Sequence, residues 1–207
     1  MARPQYVKFV SPKGIAIYPK LNRPDSKFDA DGVYSTQLRL EDNEETRKFI
    51  AKLVAVRDDF FEEQDAKIRK KFSLADVFEE ELNDEGEETG FLIVKFKLNA
   101  KVKTKDGTEY DQKPNLFDSS KPPKPLDDCN PWSGSTLRVA GDIVPYAMGS
   151  SKTVGVSLRM KGVQVINLVQ GGGAEAASYG FSDEEGGFTV DTSAFDDESD
   201  FSEDEDF

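Results

Sequence analysis

The sequence predicts a mainly β protein, a small antiparallel barrel with one long α-helix inserted between its strands and a disordered acidic C-terminal tail. Three observations carry this. Short apolar runs alternate with polar residues at period two and are punctuated by Gly, Pro and Asn. One stretch alone, residues 43–71, repeats its apolar residues at helical spacing. The third is the change of character at Gly171-Gly172-Gly173, which divides a folded segment, residues 1–170, from a flexible segment, residues 171–207.

Residues 5–20 read as a strand with Tyr6, Val7, Phe9, Val10, Ile15, Ala16, Ile17 and Tyr18, broken at Pro12 and Gly14 and stopped at Pro19. A loop rich in Asn, Pro and Asp then runs to Gly32. Residues 33–40 form a strand with Tyr34, Leu38 and Leu40 inward and Gln37 and Arg39 outward. In the helix, Phe49, Leu53, Val56 and Phe60 share one face. Asp42 with Glu45 makes a capping pair, and Lys67, Arg69, Lys70 and Lys71 close the C-terminal end. Glu79 to Glu88 reads as a solvated loop. The clearest strand is 91–103, with Val94, Phe96, Leu98, Ala100 and Val102 on one face. Lys105-Asp106-Gly107-Thr108 is a hairpin turn, with a return strand near Glu109 and Tyr110. A proline-rich connection leads to Thr136–Val139 and Ile143–Tyr146. After a Gly149-Ser150-Ser151 turn come two runs, Thr153–Met160 and Val163–Val169.

Charge is divided as sharply as structure. Of 40 acidic residues, 13 lie in residues 171–207, where there is no Lys or Arg. The net charge of −13 therefore belongs to the tail, and the preceding 170 residues are formally neutral. The chain has no histidine and one cysteine, Cys129. That excludes His base catalysis, His metal sites, an internal disulfide and a redox Cys pair. With no apolar signal core and no apolar run long enough to span a bilayer, the expectation is a soluble cytoplasmic protein without enzymatic activity. No cofactor, metal or membrane partner is expected.

Three features could carry function. Lys95, Lys97, Lys101 and Lys103 alternate outward, placing amines about 7 Å apart on one sheet face. A solvated face or a protected sheet edge is the plain explanation; a phosphate track is the functional one. Aromatics lie near cations at Tyr18, Phe28, Tyr34, Tyr110, Trp132 and Tyr146. Sequence-independent binding of a single strand needs such rings for base stacking along a cationic groove, although core packing accounts for any one of them. Arg39 and Lys152 complete the candidate cations. The third feature is the tail, where Phe181, Phe188, Phe195, Phe201 and Phe207 recur at intervals of 7, 7, 6 and 6. Their carboxylate setting, ending in Asp204-Glu205-Asp206-Phe207, suits a disordered segment whose acids mimic phosphates and whose rings mimic bases. Its r.m.s. reach is roughly 35 Å, enough to cover a groove on its own domain.

Taken in order, Gly32-Val33-Tyr34, Val94-Lys95-Phe96-Lys97, Gly134-Ser135-Thr136-Leu137-Arg138-Val139, Ile143-Val144-Pro145-Tyr146 and Gly155-Val156-Ser157-Leu158-Arg159-Met160 make a recognisable series. With Gly171-Gly172-Gly173 and the terminal Asp206-Phe207, the pattern resembles the single-stranded DNA-binding proteins of T-seven-like bacteriophages and shorter versions in other tailed phages. The resemblance covers nearly the whole chain. It implies an OB-fold barrel with a helix packed against it, and sequence-independent binding of single-stranded DNA. It also implies a tail that competes with DNA for the groove, contacts the replication polymerase and helicase, and ends in a required Phe. By position, Tyr146 would stack on bases, and Lys95, Lys97 and Arg138 would lie near the backbone track. One departure is Met148, where founding members carry a second aromatic; Trp132 or Tyr18 would then supply the platform.

The resemblance further implies a role in phage DNA replication, recombination and repair, in the cytoplasm of an infected bacterium. It leaves monomer and homodimer open. A competing reading is an acidic-tailed protein-interaction module, such as a DNA mimic or a chaperone of basic proteins. A remote third is an enzyme holding a divalent metal with Asp127, Asp128 and Asp142.

Overall fold

The computed structural model describes residues 6–170 apart from Phe28, Lys105, Asp106 and Asp128. The chain divides into two units, Met1–Gly171 and Gly172–Phe207, and every element below lies in the first. Phe181, Phe188, Phe195, Phe201, Asp204, Glu205, Asp206 and Phe207 lie outside the described residues, as do Phe28 and half of the 105–108 turn.

Among the described residues, eleven strands and two helices follow one another as β1 (Val7–Val10), β2 (Gly14–Asp25), β3 (Val33–Glu41), α1 (Glu44–Glu62), α2 (Ala66–Arg69), β4 (Ser73–Leu74), β5 (Glu79–Leu82), β6 (Glu88–Asn99), β7 (Lys101–Lys103), β8 (Glu109–Asp111), β9 (Asn115–Phe117), β10 (Thr136–Met148) and β11 (Thr153–Asn167). The sheet runs β10-β2-β3-β6-β11, and β10 also pairs with β11, so the five strands close on themselves. All junctions are antiparallel except β6 with β11. This is the five-stranded barrel of the OB-fold, as the resemblance implies, with α1 inserted between its second and third strands.

The parallel seam is narrow. Only Leu158↔Phe96 and Arg159↔Lys97 pair across it. On either side β11 takes other partners, β4 at Thr153 and Val154 and β9 at Gly162–Gln164. The barrel wall is therefore thin where β6 leaves it for the separate β7–β8 hairpin.

Period-two alternation fills the interior as the sequence predicts. Val94, Phe96, Leu98 and Ala100 of the β6 run are buried, as are Thr36, Leu38 and Leu40 of β3. Phe9 joins barrel to helix, its ring 5.9 Å from Phe49 and 5.7 Å from Phe96. Phe49, Ile50 and Leu53 bury the first half of α1 against the barrel. Each such side chain contributes about 1.5–3 kcal/mol by leaving water.

Several boundaries differ from expectation, each for a physical reason. Strand β2 does not stop at Pro19 but continues to Asp25, replacing half of the expected loop. Its register with β3 jumps between Ile17 and Lys20, so Pro19 occupies an irregularity where no ladder N–H is required. The cap of α1 is Asn43, whose side chain accepts from the Thr46 N–H at 3.0 Å. Asp42 instead pairs with Arg47 at 2.7 Å, which holds its carboxyl below the usual range. Helix α1 ends at Glu62 rather than 71, because Glu62 and Glu63 oppose the negative end of the helix dipole. Gln64 closes that end by donating to the Phe60 carbonyl at 2.9 Å.

The acidic stretch after Glu79 is no loop. It is edge strand β5, a turn built on Asn83, and the start of β6. An edge strand keeps its carboxylates in solvent and so tolerates them. The expected 91–103 strand starts earlier, at Glu88, and breaks at Ala100, where β7 turns away to pair with β8. The proline-rich connection contains β9 and, further along, the buried Cys129; burial pushes that thiol's pKa up. Finally, the short runs near the C-terminal end fuse into two long strands, β10 and β11. A bulge between Ala140 and Gly141 absorbs the irregularity that makes them look separate.

Candidate nucleic-acid interface

At the narrow β6–β11 seam the outer face of the barrel opens into a groove of about 1070 Å³. Its floor comes from alternation. With Phe96, Leu98, Leu158 and Met160 turned inward, Lys95, Lys97 and Arg159 must point outward. Lys97 and Arg159 are directly paired across the seam. The β7–β8 hairpin forms one wall, contributing Lys101, Lys103 and Tyr110, and the β10–β11 hairpin forms the other with Tyr146 and Met148.

Tyr146 is positioned by the glycine opposite it. Gly155 is its cross-strand partner, and a Cβ there would stand 2.6 Å from the Tyr146 hydroxyl oxygen and 2.7 Å from Cζ. The ring lies across the space that the missing side chain leaves. Tyr110 of β8 also lines the groove and is 49% exposed, and Met148 is equally open at 49%.

The cations differ in availability. Lys95 is hydrogen-bonded to Glu79, and Lys103 to Glu109 at 3.1 Å. The Glu109 hydrogen bond raises the Lys103 pKa, and the charge of Asp31 adds to it. Among the described residues, Lys97, Lys101 and Arg159 have no carboxylate within ion-pair distance, although Arg159 lies 5.4 Å from the Tyr6 ring centroid. These three are the groove's uncommitted positive charges.

A second, smaller cleft of about 360 Å³ adjoins the groove on the same sheet face. Tyr18, Lys20, Ser35 and Gln37 line it, and it shares Lys95, Phe96 and Lys97 with the groove. Tyr18 is 75% exposed, and Trp132, on a neighbouring turn, is 52% exposed.

The structure thus gathers Lys95, Lys97, Lys101, Lys103, Tyr110 and Tyr146 into one groove and places Tyr18 beside it. The five other candidates line neither cleft, Trp132 standing exposed on its turn. Tyr34 is only 8% exposed and packs in the core, because it shares the inward face with Leu38 and Leu40. Arg39 lies under a bidentate pair with Glu81 at 2.7 Å and over the Phe91 ring. Arg138 is tied to Glu45 at the start of α1, 3.0 Å away. Lys152 sits in the β10–β11 turn, outside the groove lining. Asp142, a candidate metal ligand in the enzyme reading, is buried and paired with Lys161 at 2.6 Å. Sequence reasoning missed Arg159 and Lys20. The signal for Arg159 was present, since it alternates with Leu158 and Met160.

No protein-family model matches the chain, and no curated protein is similar to it in sequence. Solved structures are informative. The single-stranded DNA-binding protein encoded by bacteriophage T7 superposes with a TM-score of 0.63 over 81% of this chain and 96% of that one, at 19% identity. The chain has the fold of the phage single-stranded DNA-binding proteins. A truncated form of the corresponding protein from bacteriophage Enc34 superposes at a TM-score of 0.50, covering 79% of this chain and 87% of that one, at 11% identity. In this chain the additions to a plain five-stranded barrel include the α1 insertion and the β7–β8 hairpin, while the long β10 and β11 strands seat Tyr146. Among the described residues no helix is long and apolar enough to cross a membrane.

Proposed function

We propose that the chain is a sequence-independent single-stranded DNA-binding protein acting in phage DNA replication and recombination. The observation that carries this is the joining of uncommitted cations, Lys97, Lys101 and Arg159, with Tyr110 and Tyr146 in the lining of one open groove. Phosphates meet the cations and bases stack on the rings, at about 1–3 kcal/mol per base. Nothing in such a groove reads base identity. A duplex cannot present its bases to the tyrosines, so single strands are favoured. The two structural relatives, both described as single-stranded DNA-binding proteins, support the same reading.

Residues 1–170 supply the binding domain, and residues 171–207 act as its competitor. The tail's 13 carboxylates and five phenylalanines offer phosphate-like and base-like groups. Tethering gives them an effective concentration in about the millimolar range, which suppresses weak ligands while single strands still displace them. Displacement frees Phe207 to recruit polymerase or helicase. A tail that reaches a second copy's groove instead would support a homodimer by the same chemistry. The setting is the cytoplasm of the infected bacterium.

The test is a salt titration of oligo-dT and matched duplex binding, with the full chain and with a variant ending at Gly173. The truncated form should bind single strands more tightly, with a larger relative gain on duplex. If neither form binds single strands at low salt, the acidic interaction-module reading replaces this one.

A second expectation concerns the groove's own carboxylates. Glu79 already occupies Lys95, so DNA must displace it before that lysine can reach phosphate. Glu79→Gln should tighten oligo-dT binding about threefold, because Lys95 then reaches phosphate without first giving up a carboxylate. An unchanged affinity would place Lys95 off the strand's path.

A further inference from the structure

Tyr18 is the most conspicuous residue that the groove does not itself explain. It adopts φ +47, one of two non-glycine residues with positive φ among those described. That conformation is unfavourable for an L-residue with a bulky ring, and it persists only where the surroundings impose it. Here they do. The Tyr18 N–H donates to the Ser133 hydroxyl at 3.0 Å, and on the same turn the Gly134 N–H donates to the Ala16 carbonyl at 3.0 Å. The Ala16 N–H in turn donates to the Ser135 carbonyl at 2.8 Å. The irregularity of β2 between Ile17 and Lys20 is thereby clamped, and its product is a tyrosine ring held out in solvent.

That ring stands over the smaller cleft. Lys20 is exposed beside it, and Ser35 and Gln37 of β3 form the floor between Tyr18 and the shared Lys95 and Lys97. Asp25 also lines the cleft, but its carboxylate is turned onto the Lys27 N–H at 2.9 Å. From β2 to β11 the face spans three interstrand spacings, about 14 Å. The same turn presents Trp132, the only tryptophan of the chain.

We infer that the cleft at Tyr18 and Lys20 is a second base-stacking subsite, which takes the nucleotides of a single strand that has crossed Lys95 and Lys97 from the main groove. The inference rests on the single-strand reading above. Its consequence is a footprint in two parts. A short oligonucleotide fills the Tyr110–Tyr146 groove alone; a longer one also stacks on Tyr18, places a phosphate at Lys20, and passes close to Trp132.

The experiment measures oligo-dT of about 4 and about 12 nucleotides, within the span of single OB-fold sites, on the full chain, Tyr18→Ala and Tyr18→Phe. Tyr18→Ala should bind the short oligonucleotide as the native chain does and lose about tenfold on the long one. Tyr18→Phe keeps the ring and should keep the long-oligonucleotide affinity, which separates stacking from any effect on folding. Trp132 fluorescence should respond to the long oligonucleotide and not to the short one. Equal loss on both lengths, no loss on either, or equal fluorescence responses would overturn the second subsite. Absence of single-strand binding at any length by the native chain would instead overturn the proposed function itself.

Discussion

Replacing Lys97 and Arg159 together by glutamate is expected to weaken oligo-dT binding at least about 100-fold near 0.1 M salt. Each side chain offers a charge-assisted hydrogen bond to phosphate, worth about 1.5–3 kcal/mol, and neither has a carboxylate partner within the described protein that already consumes it. The two face each other across the β6–β11 seam, so one substitution leaves half of the cationic floor and both remove it. The salt dependence should flatten by about 1.4, or ~0.7 for each phosphate that the variant no longer neutralises on a single strand. Both side chains face solvent, so the unfolding free energy should stay within the range of surface substitutions, about 0.5 kcal/mol. A matching pair at Arg39 and Arg138, each engaged by its own glutamate, should leave the salt slope unchanged. If the two pairs behave alike, phosphate does not run along the seam.

Gly141→Ala is expected to cost about 3 kcal/mol of stability, a large share of the ~5–15 kcal/mol that holds a domain of this kind together. A Cβ at Gly141 would stand 1.9 Å from the carbonyl oxygen of Arg159, 2.9 Å from its carbonyl carbon and 3.2 Å from the Met160 Cα. All three are backbone atoms of β11, and β1 hems the same residue through its pairing with Phe9. No side chain can swing aside, so relief requires shifting the β10–β11 ladder itself. Because that ladder carries Arg159, DNA binding should fall together with stability. Gly149→Ala provides the contrast, since a Cβ there meets nothing within 4 Å. Urea denaturation of the two variants decides it; equal midpoints would mean that the bulge accommodates a methyl group.

Much of this molecule is legible in its sequence where the signal is local. The inward faces of β3 and β6, the outward lysines and the helical periodicity around Phe49 and Leu53 are consequences of side-chain period, which neighbours in sequence reveal. Boundaries are less so. Pro19 reads as a terminator until a bulge removes the need for its N–H, and the Glu79 run reads as a loop until one learns that it lies on an edge. Tyr34 illustrates a further limit. Its alternation with Leu38 and Leu40 turns it inward, and yet its nearness to cations along the chain makes it look like a stacking residue.

The partition of cations cannot be read at all. Lys95, Arg39 and Arg138 look like Lys97 and Arg159 in the sequence, and only the fold brings Glu79, Glu81 and Glu45 to the first three. Those carboxylates lie 16, 42 and 93 residues away along the chain. The strained backbone at Tyr18 is of the same kind, imposed by Ser133 from 115 residues away. Side-chain period and local composition therefore set which faces are apolar, where charge accumulates and that a barrel with one inserted helix results. Which charges stay free for a ligand, and which rings stand in solvent, was decided by long-range pairing. Coulomb and hydrogen-bond energies depend on separation in space, and separation along the chain carries no information about it.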